Sequence, residues 1–159
     1  MTLFPLKSET LVLPYSAEEV EKKLWHAVFP VKAGETMPDK IDELFLFNGW
    51  VKNRKFKISR RINSPENFLP LMKGNIEETS LGSLLFVRFS LFFSSIFFLV
   101  FWSVVTLFLT FFFIYFYDVA LYGAIAFFLG IGNYAVTVAN FNIQVKKSRE
   151  VLNKVLISE

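Results

Sequence analysis

Residues 89–117 read FSLFFSSIFFLVFWSVVTLFLTFFFIYFY and residues 119–145 read VALYGAIAFFLGIGNYAVTVANFNIQV, with only Asp118 between them. The first run has 29 residues and the second has 27, and neither contains a charged side chain. A helix needs about 20 apolar residues to cross the hydrocarbon core of a bilayer. The two runs therefore predict a hairpin of two transmembrane helices over residues 89–145, with a short turn around Asp118.

The composition shows the same local excess of apolar residues. Hydrophobic residues make up 53% of the chain, and 12 of its 21 phenylalanines lie in residues 86–116. The alternative is one continuous helix buried in a soluble domain. It is disfavoured because a domain this small could not cover such a helix on all sides.

The distribution of positive charge predicts the orientation of the hairpin. Lys and Arg number 13 in residues 1–88, none in the turn and four after Val145. Positive charge stays on the cytoplasmic side of a membrane. We therefore expect a multi-pass protein of the inner (cytoplasmic) membrane with both termini cytoplasmic. The N-terminal residues MTLFPLK do not read as a signal peptide, so the first span is expected to direct insertion.

Uncharged polar residues within the spans predict helix packing or oligomerisation. Hydroxyl side chains lie on one face of the first helix, and the second helix has a small-residue step and a stripe of amides and a hydroxyl. Small residues let membrane helices approach closely, and amides in lipid need hydrogen-bond partners. The amides pair either with the hydroxyl face or with a second copy in a homo-oligomer. The residues concerned are Ser103, Thr106, Thr110, Ala126, Gly130, Asn133, Thr137 and Asn140.

The pattern before the hairpin predicts a small cytoplasmic α+β domain over residues 1–88. Ser16 and Glu19 match a helix capping box, and residues 17–28 then have helical periodicity. The other segments favour an antiparallel sheet of five strands. The strands are expected over residues 3–13, 44–51 (with a bulge at Gly49), 56–62, 68–78 and 83–89, with turns at 52–54 and 63–67 and a loop at 31–40. Residues 146–159 predict an amphipathic C-terminal helix that extends the second span and packs on the sheet.

Two resemblances follow from this organisation. The order of strand, helix, sheet and long C-terminal helix resembles that of START-like helix-grip domains, which bind lipids and other ligands. The run FLPLMKGNI at residues 68–76, with Gly82 after it, is similar to small uncharacterised bacterial two-span membrane proteins. The first resemblance implies a ligand cavity between sheet and helix, whereas the second implies no activity.

The residues that enzymes use for chemistry are sparse in this chain. It has no cysteine, and His26 is its single histidine. The carboxylate pairs Asp42–Glu43 and Glu77–Glu78 are adjacent in sequence, and adjacent strand residues point to opposite faces of a sheet. We therefore expect no catalytic residues, no cofactor and no metal site, and a protein that is not an enzyme.

A basic segment is the outstanding polar feature. Six of the ten residues from 52 to 61 are cationic, and anionic headgroups attract such a segment when it is tethered to a membrane. Nucleic-acid binding is disfavoured because few aromatic residues accompany the segment and the net charge is only +3. The residues expected to contact lipid headgroups are Lys52, Arg54, Lys55, Lys57, Arg60 and Arg61.

Two functions are compatible with this organisation. The first is a non-enzymatic membrane-anchored sensor or adaptor, whose cytoplasmic domain binds a small ligand, a lipid or a protein partner. The alternative is an oligomeric pore-forming or membrane-perturbing effector that its cytoplasmic domain controls.

Overall fold

A computed structural model of the protein describes residues 4–30, 45–62 and 66–157. These residues form six strands and three helices, so the α+β class is confirmed. The predicted loop at 31–40 lies outside the described residues. The elements are β1 Leu6–Leu13, α1 Ala17–Ala27, β2 Val28–Pro30, β3 Phe47–Lys52, β4 Lys55–Arg60, β5 Pro70–Thr79, β6 Gly82–Leu91, α2 Phe93–Tyr115 and α3 Ala120–Ile157.

The six strands form one sheet in the order β1-β6-β5-β4-β3-β2. Four neighbouring pairs are antiparallel, but β2 and β3 are parallel, with Val28 opposite Phe47. The prediction of a five-stranded, wholly antiparallel sheet was therefore wrong at this edge. Strand β2 has three residues, too few to show a period of two, and it ends at Pro30, a residue that sheets tolerate at their edges.

The hairpin between β3 and β4 confirms the predicted turn and corrects the predicted bulge. Asn53 and Arg54 have φ angles of 53° and 59°, which a two-residue hairpin turn requires. Gly49 lies opposite Ile58 in an unbroken one-to-one register, so no extra residue is inserted. Its φ is 145°, and a Cβ at this position would lie 2.1 Å from the Lys57 carbonyl oxygen. Glycine is needed here for close backbone approach rather than for a bulge.

The predicted capping box begins α1. The Glu19 backbone N–H donates to Ser16 Oγ at 3.2 Å, and the Ser16 N–H donates to Glu19 Oε2 at 3.0 Å. The helix then buries a stripe of apolar side chains against the sheet. The buried residues of this stripe are Ala17, Val20, Leu24 and Ala27.

Helix α3 runs without interruption from the hairpin into the core of the sheet domain. It has 38 residues, which corresponds to about 57 Å at 1.5 Å per residue. The predicted extension of the second apolar segment is therefore confirmed, and the helix does not break at residue 145. Its C-terminal half contributes Phe141, Val145, Leu152 and Leu156 to the core on one face of the sheet.

One residue, Phe92, separates the end of β6 from the start of α2. The predicted start of the hairpin at Phe89 is wrong: residues Phe89 to Leu91 belong to the sheet, and the first apolar helix begins at Phe93. Both α2 and α3 are long and apolar enough to cross a membrane, with mean hydropathies of 2.5 and 1.6 over their most apolar windows. Only 6% and 17% of these windows are buried within the chain, so most of this apolar surface faces outward.

Candidate interaction site

The sheet has one covered face and one open face. Because successive strand residues point to opposite faces, Phe56 and Ile58 of β4 are buried beneath α1 and α3, whereas Lys55 and Lys57 are exposed. We call the face opposite α1 and α3 the open face. Within residues 4–30, 45–62 and 66–157, no helix packs on this open face.

Three cations form a row across the open face. Lys57 of β4 lies directly opposite Lys73 of β5, which lies directly opposite Arg88 of β6. All three are exposed, and none makes an ion pair with an acidic residue in the described ranges. With strands about 4.8 Å apart, the row spans roughly 10 Å. We call these three residues the cation row.

The cation row opposes folding rather than supporting it. Like charges directly opposite each other on a sheet are destabilising, by an amount comparable to the 0.2–1 kcal/mol of a favourable pair. The row contains two such contacts, between Lys57 and Lys73 and between Lys73 and Arg88. An anion on this face would relieve both repulsions.

Neutralising the cation row is expected to stabilise the protein. The variant Lys57→Gln/Lys73→Gln/Arg88→Gln should raise the free energy of unfolding by about 1 kcal/mol at low salt, with a smaller gain at high salt. Thermal unfolding of the purified protein measures this change. A matched variant, Lys22→Gln/Lys154→Glu, makes the same change of net charge at exposed positions elsewhere. Equal stabilisation by both variants would show that net charge, not the row, is responsible.

The fold divides the predicted basic segment into three parts. Lys57 joins the cation row, and Arg60 points toward the covered face. Lys52, Arg54 and Lys55 lie at the β3–β4 turn, where Arg54 approaches Glu78 at 3.6 Å. The backbone N–H of Arg61 donates to the Leu46 carbonyl oxygen at 2.9 Å.

The β3–β4 turn lies far from the start of the apolar hairpin. Lys55 is opposite Asn75, and Asn75 is opposite Phe86, five residues before the end of β6 at Leu91. That separation is about 17 Å along the strands. The headgroup contacts predicted for this turn stay a prediction, and its position gives them no support.

A polar cluster ties the sheet to α3 where the apolar hairpin begins. Arg60 Nη2 donates to Gln144 Oε1 at 2.8 Å and also to Glu66 Oε2. Lys147 Nζ lies 3.6 Å from the other oxygen, Glu66 Oε1. We call these four residues the junction cluster. It fixes β4 and the segment after it to α3.

Charge and hydrogen bonding decide the ionisation of Glu66. Burial alone would raise the pKa of this carboxyl, but hydrogen bonds from Gln144 and Arg60 and the charges of Arg60 and Lys147 favour the carboxylate. The pKa of Glu66 is therefore held below its ordinary value of 4.5. On the other side of α3, Arg149 Nε lies 3.1 Å from Glu9 Oε2 of β1. Helix α3 thus makes ion pairs with Glu66 in the segment after β4 and with Glu9 of β1.

The predicted small-residue step of the second apolar helix packs against α2 within the same chain. A Cβ at Gly130 would lie 2.6 Å from Thr106 Oγ1, and a Cβ at Gly123 would lie 2.6 Å from Ile114 Cγ1. Ala126, between the two glycines, is buried. This face therefore serves helix packing within one hairpin.

The hydroxyl groups of the hairpin donate to carbonyl oxygens of their own helices. Ser103, Thr106 and Thr110 donate to residues of α2 at 2.8–2.9 Å, and Thr137 donates to the Asn133 carbonyl oxygen at 2.9 Å. Each hydroxyl has one proton, so it remains only an acceptor for an amide. Thr137 is 1% exposed. Asn133 and Asn140 are half-buried beside it.

An apolar cavity of about 650 Å³ lies between the end of α1 and the β2–β3 edge. Its lining includes Trp25, Val28 and Trp50, and its rim includes Pro30 and Phe45, the residues on either side of segment 31–44. Val155 of α3 also lines this cavity, but most of its lining comes from α1, β2 and β3. The core side chains of α3, such as Phe141 and Leu152, pack against the rest of the covered face of the sheet.

Comparisons with protein-family models, with curated proteins and with solved structures give no match to this chain. Any assignment of function therefore depends on the geometry of the open face, the junction cluster and the hairpin.

Proposed function

We propose that the protein is a non-enzymatic membrane-anchored adaptor or sensor. Its hairpin holds the α+β domain at the cytoplasmic surface, and the open face of the sheet binds a partner there. The observation that carries this proposal is the cation row, three exposed cations in register on the face that no helix covers among the described residues. A binding role explains an arrangement that is unfavourable for folding.

The connections between domain and hairpin support a role in presenting or sensing a partner. One residue joins β6 to α2, and α3 is a single helix from the hairpin to Ile157. Near the same end of the hairpin, the junction cluster adds side-chain hydrogen bonds between β4, the segment after it and α3. Because both connections are stiff, the open face has a defined orientation relative to the spans, and displacement of the domain is transmitted to the hairpin.

In the proposed arrangement, lipid headgroups contact the edge of the domain that lies nearest the hairpin. Lys146 directly follows the uncharged run that ends at Val145. Arg61 follows Arg60, and the Arg60 side chain donates to Gln144 near the end of the same run. Basic residues near an anionic surface contribute about 1 kcal/mol each, screened by salt. These positions suit headgroup contact better than the β3–β4 turn does.

The proposed topology predicts which sites react with a membrane-impermeant maleimide. The chain has no cysteine, so a single introduced cysteine is the only thiol that the maleimide can label. Ser8→Cys, on the open face, should be protected in intact cells and react after permeabilisation. Tyr117→Cys, in the turn between α2 and α3, should react in both conditions.

Labelling at Ser8→Cys but not at Tyr117→Cys in intact cells would reverse the orientation and remove the adaptor proposal. A cysteine in place of Ser80, in the exposed β5–β6 turn, serves as a second reporter of the domain and must behave like Ser8→Cys.

The pore-forming alternative has less support. A water-filled path needs polar groups that face a lumen, whereas the hydroxyls at Ser103, Thr106, Thr110 and Thr137 donate to their own helices. Thr137 is also buried in the chain. We therefore propose anchoring as the role of the hairpin.

A further inference from the structure

We propose that the open face binds single-stranded nucleic acid, with phosphates on the cation row and a base stacked on Trp50. This inference rests on the proposed function, because it names the class of partner that the anchored domain binds. It assigns one role to residues from four strands, β3 to β6, that are distant in sequence.

The charge on the open face suits a phosphate backbone. Lys57, Lys73 and Arg88 follow one line perpendicular to the strands, and Lys52 and Lys55 extend the positive charge toward the β3–β4 turn. A positively charged surface that follows the backbone is the general means of binding a single strand. The cations have no acidic partner among the described residues, so no internal ion pair must break.

An exposed aromatic side chain continues the same line. Trp50 of β3 lies directly opposite Lys57 and is 48% exposed, and it also borders the apolar cavity at the β2–β3 edge. Phe86, two residues before Arg88 on β6, is a partly exposed second aromatic on this face. Stacking on such side chains accepts any base, because every base has a π-face. Trp50 beside three cations therefore offers both parts of a single-strand site.

The orientation of the open face argues against a flat membrane surface as the occupant. Helix α3 lies along the covered face from Phe141 to Leu156, so the sheet runs alongside the helix axis. If α3 crosses the membrane, the open face is roughly perpendicular to the membrane surface, and only the edge of the sheet nearest the hairpin contacts headgroups. An extended partner beside the domain fits this geometry.

The shape of the face argues against a small phosphorylated ligand. Small ligands use concave sites that bury most of their surface. The cation row lies on the pleated surface of three paired strands, and its length of about 10 Å suits contact with an extended chain. In the sequence, nucleic-acid binding was disfavoured because few aromatic residues accompany the basic segment. The fold brings Lys73, Arg88 and Phe86 from other strands to the same face.

The test uses the full-length protein in discs of zwitterionic phosphatidylcholine, with fluorescein-labelled oligothymidine and oligouridine as probes. Fluorescence anisotropy gives the dissociation constant over a series of salt concentrations. Lys57→Gln/Lys73→Gln/Arg88→Gln should weaken binding about tenfold or more and reduce the log–log salt slope by about 2, since each phosphate contact contributes about 0.7. Lys22→Gln/Lys154→Glu makes the same change of net charge at exposed positions elsewhere and should leave binding within about twofold.

Trp50→Ala should weaken binding about tenfold while leaving the salt slope unchanged, because stacking does not release counterions. Retention of α+β circular dichroism by each variant establishes that it is folded. Absence of oligonucleotide binding by the wild type would overturn the inference. So would equal weakening by the two charge variants, or full displacement of the oligonucleotide by phosphatidylglycerol vesicles, which would identify a lipid surface as the occupant.

Inorganic polyphosphate separates the two parts of the site. Polyphosphate should bind through the cation row, so Trp50→Ala should not change its dissociation constant. If Trp50→Ala does not weaken oligonucleotide binding either, the stacking role of Trp50 is wrong. The cysteine labelling described above is independent of these measurements. If labelling gives the proposed topology and the oligonucleotide does not bind, the partner class is wrong while the adaptor proposal stands.

Discussion

Gly130→Leu is expected to lower the free energy of unfolding by about 3 kcal/mol, because it forces α2 and α3 apart. A Cβ at this position would already lie 2.6 Å from Thr106 Oγ1. Thr106 has little freedom to move, since its χ1 angle is restricted by β-branching and its hydroxyl donates to the Trp102 carbonyl oxygen. Thermal unfolding in mild detergent measures the loss.

Gly132→Leu is the matched control on the same helix. Nothing lies within 4 Å of a Cβ at Gly132, so the same substitution there should leave the stability of the monomer nearly unchanged. Both variants should keep the wild-type mass in detergent if α3 packs only within its own hairpin. A fall in mass for Gly132→Leu, with the monomer still folded, would show instead that this outer side of α3 joins a second copy.

Asn133→Leu addresses the predicted polar stripe separately. Interhelical hydrogen bonds in membranes average about 0.6 kcal/mol, so the variant should unfold only slightly more easily than the wild type. A loss as large as that of Gly130→Leu would mean that the amide, rather than close packing, holds the helices together.

The elements with strong local signals were the ones predictable from sequence. Two uncharged runs, each longer than a helix needs to cross a bilayer, indicated α2 and α3. The capping box of Ser16 and Glu19 indicated where α1 begins. Asn53 located the β3–β4 turn because asparagine tolerates positive φ. In each case, neighbouring residues alone decide the conformation.

The candidate site was not predictable in the same way, because it depends on register. Lys57 was visible within a basic run, but Lys73 and Arg88 appeared as isolated cations on strands 15 residues apart. Only the pairing of β4, β5 and β6 brings the three side chains into one row. Similarly, nothing near Glu66 in sequence indicated that Gln144 and Lys147 would meet it.

The junction cluster leads to the second large effect: Glu66→Gln is expected to destabilise the protein by about 2 kcal/mol. Glutamine keeps the shape but loses the charge that Arg60 and Lys147 face, and hydrogen bonds to charged groups contribute about 1.5–3 kcal/mol. The side chains of Arg60 and Glu66 are only 13% and 24% exposed, so water replaces the lost contacts incompletely. Glu150→Gln, an equal change of charge on the exposed side of α3, should have little effect.

The pH dependence of unfolding distinguishes this role from simple packing. Because the pKa of Glu66 is lower in the folded protein than its ordinary value of 4.5, its carboxylate contributes stability that is fully present above about pH 4.5. That contribution is lost as the pH falls through the folded pKa, where the carboxylate becomes protonated and its bonds to Arg60 and Lys147 weaken. Wild-type stability should therefore decrease more steeply below pH 4.5 than that of Glu66→Gln, and the two curves should converge in acid. Parallel curves would mean that the ion pairs of Glu66 do not hold α3 to the sheet, and the stiff connection proposed between domain and hairpin would lose its main side-chain support.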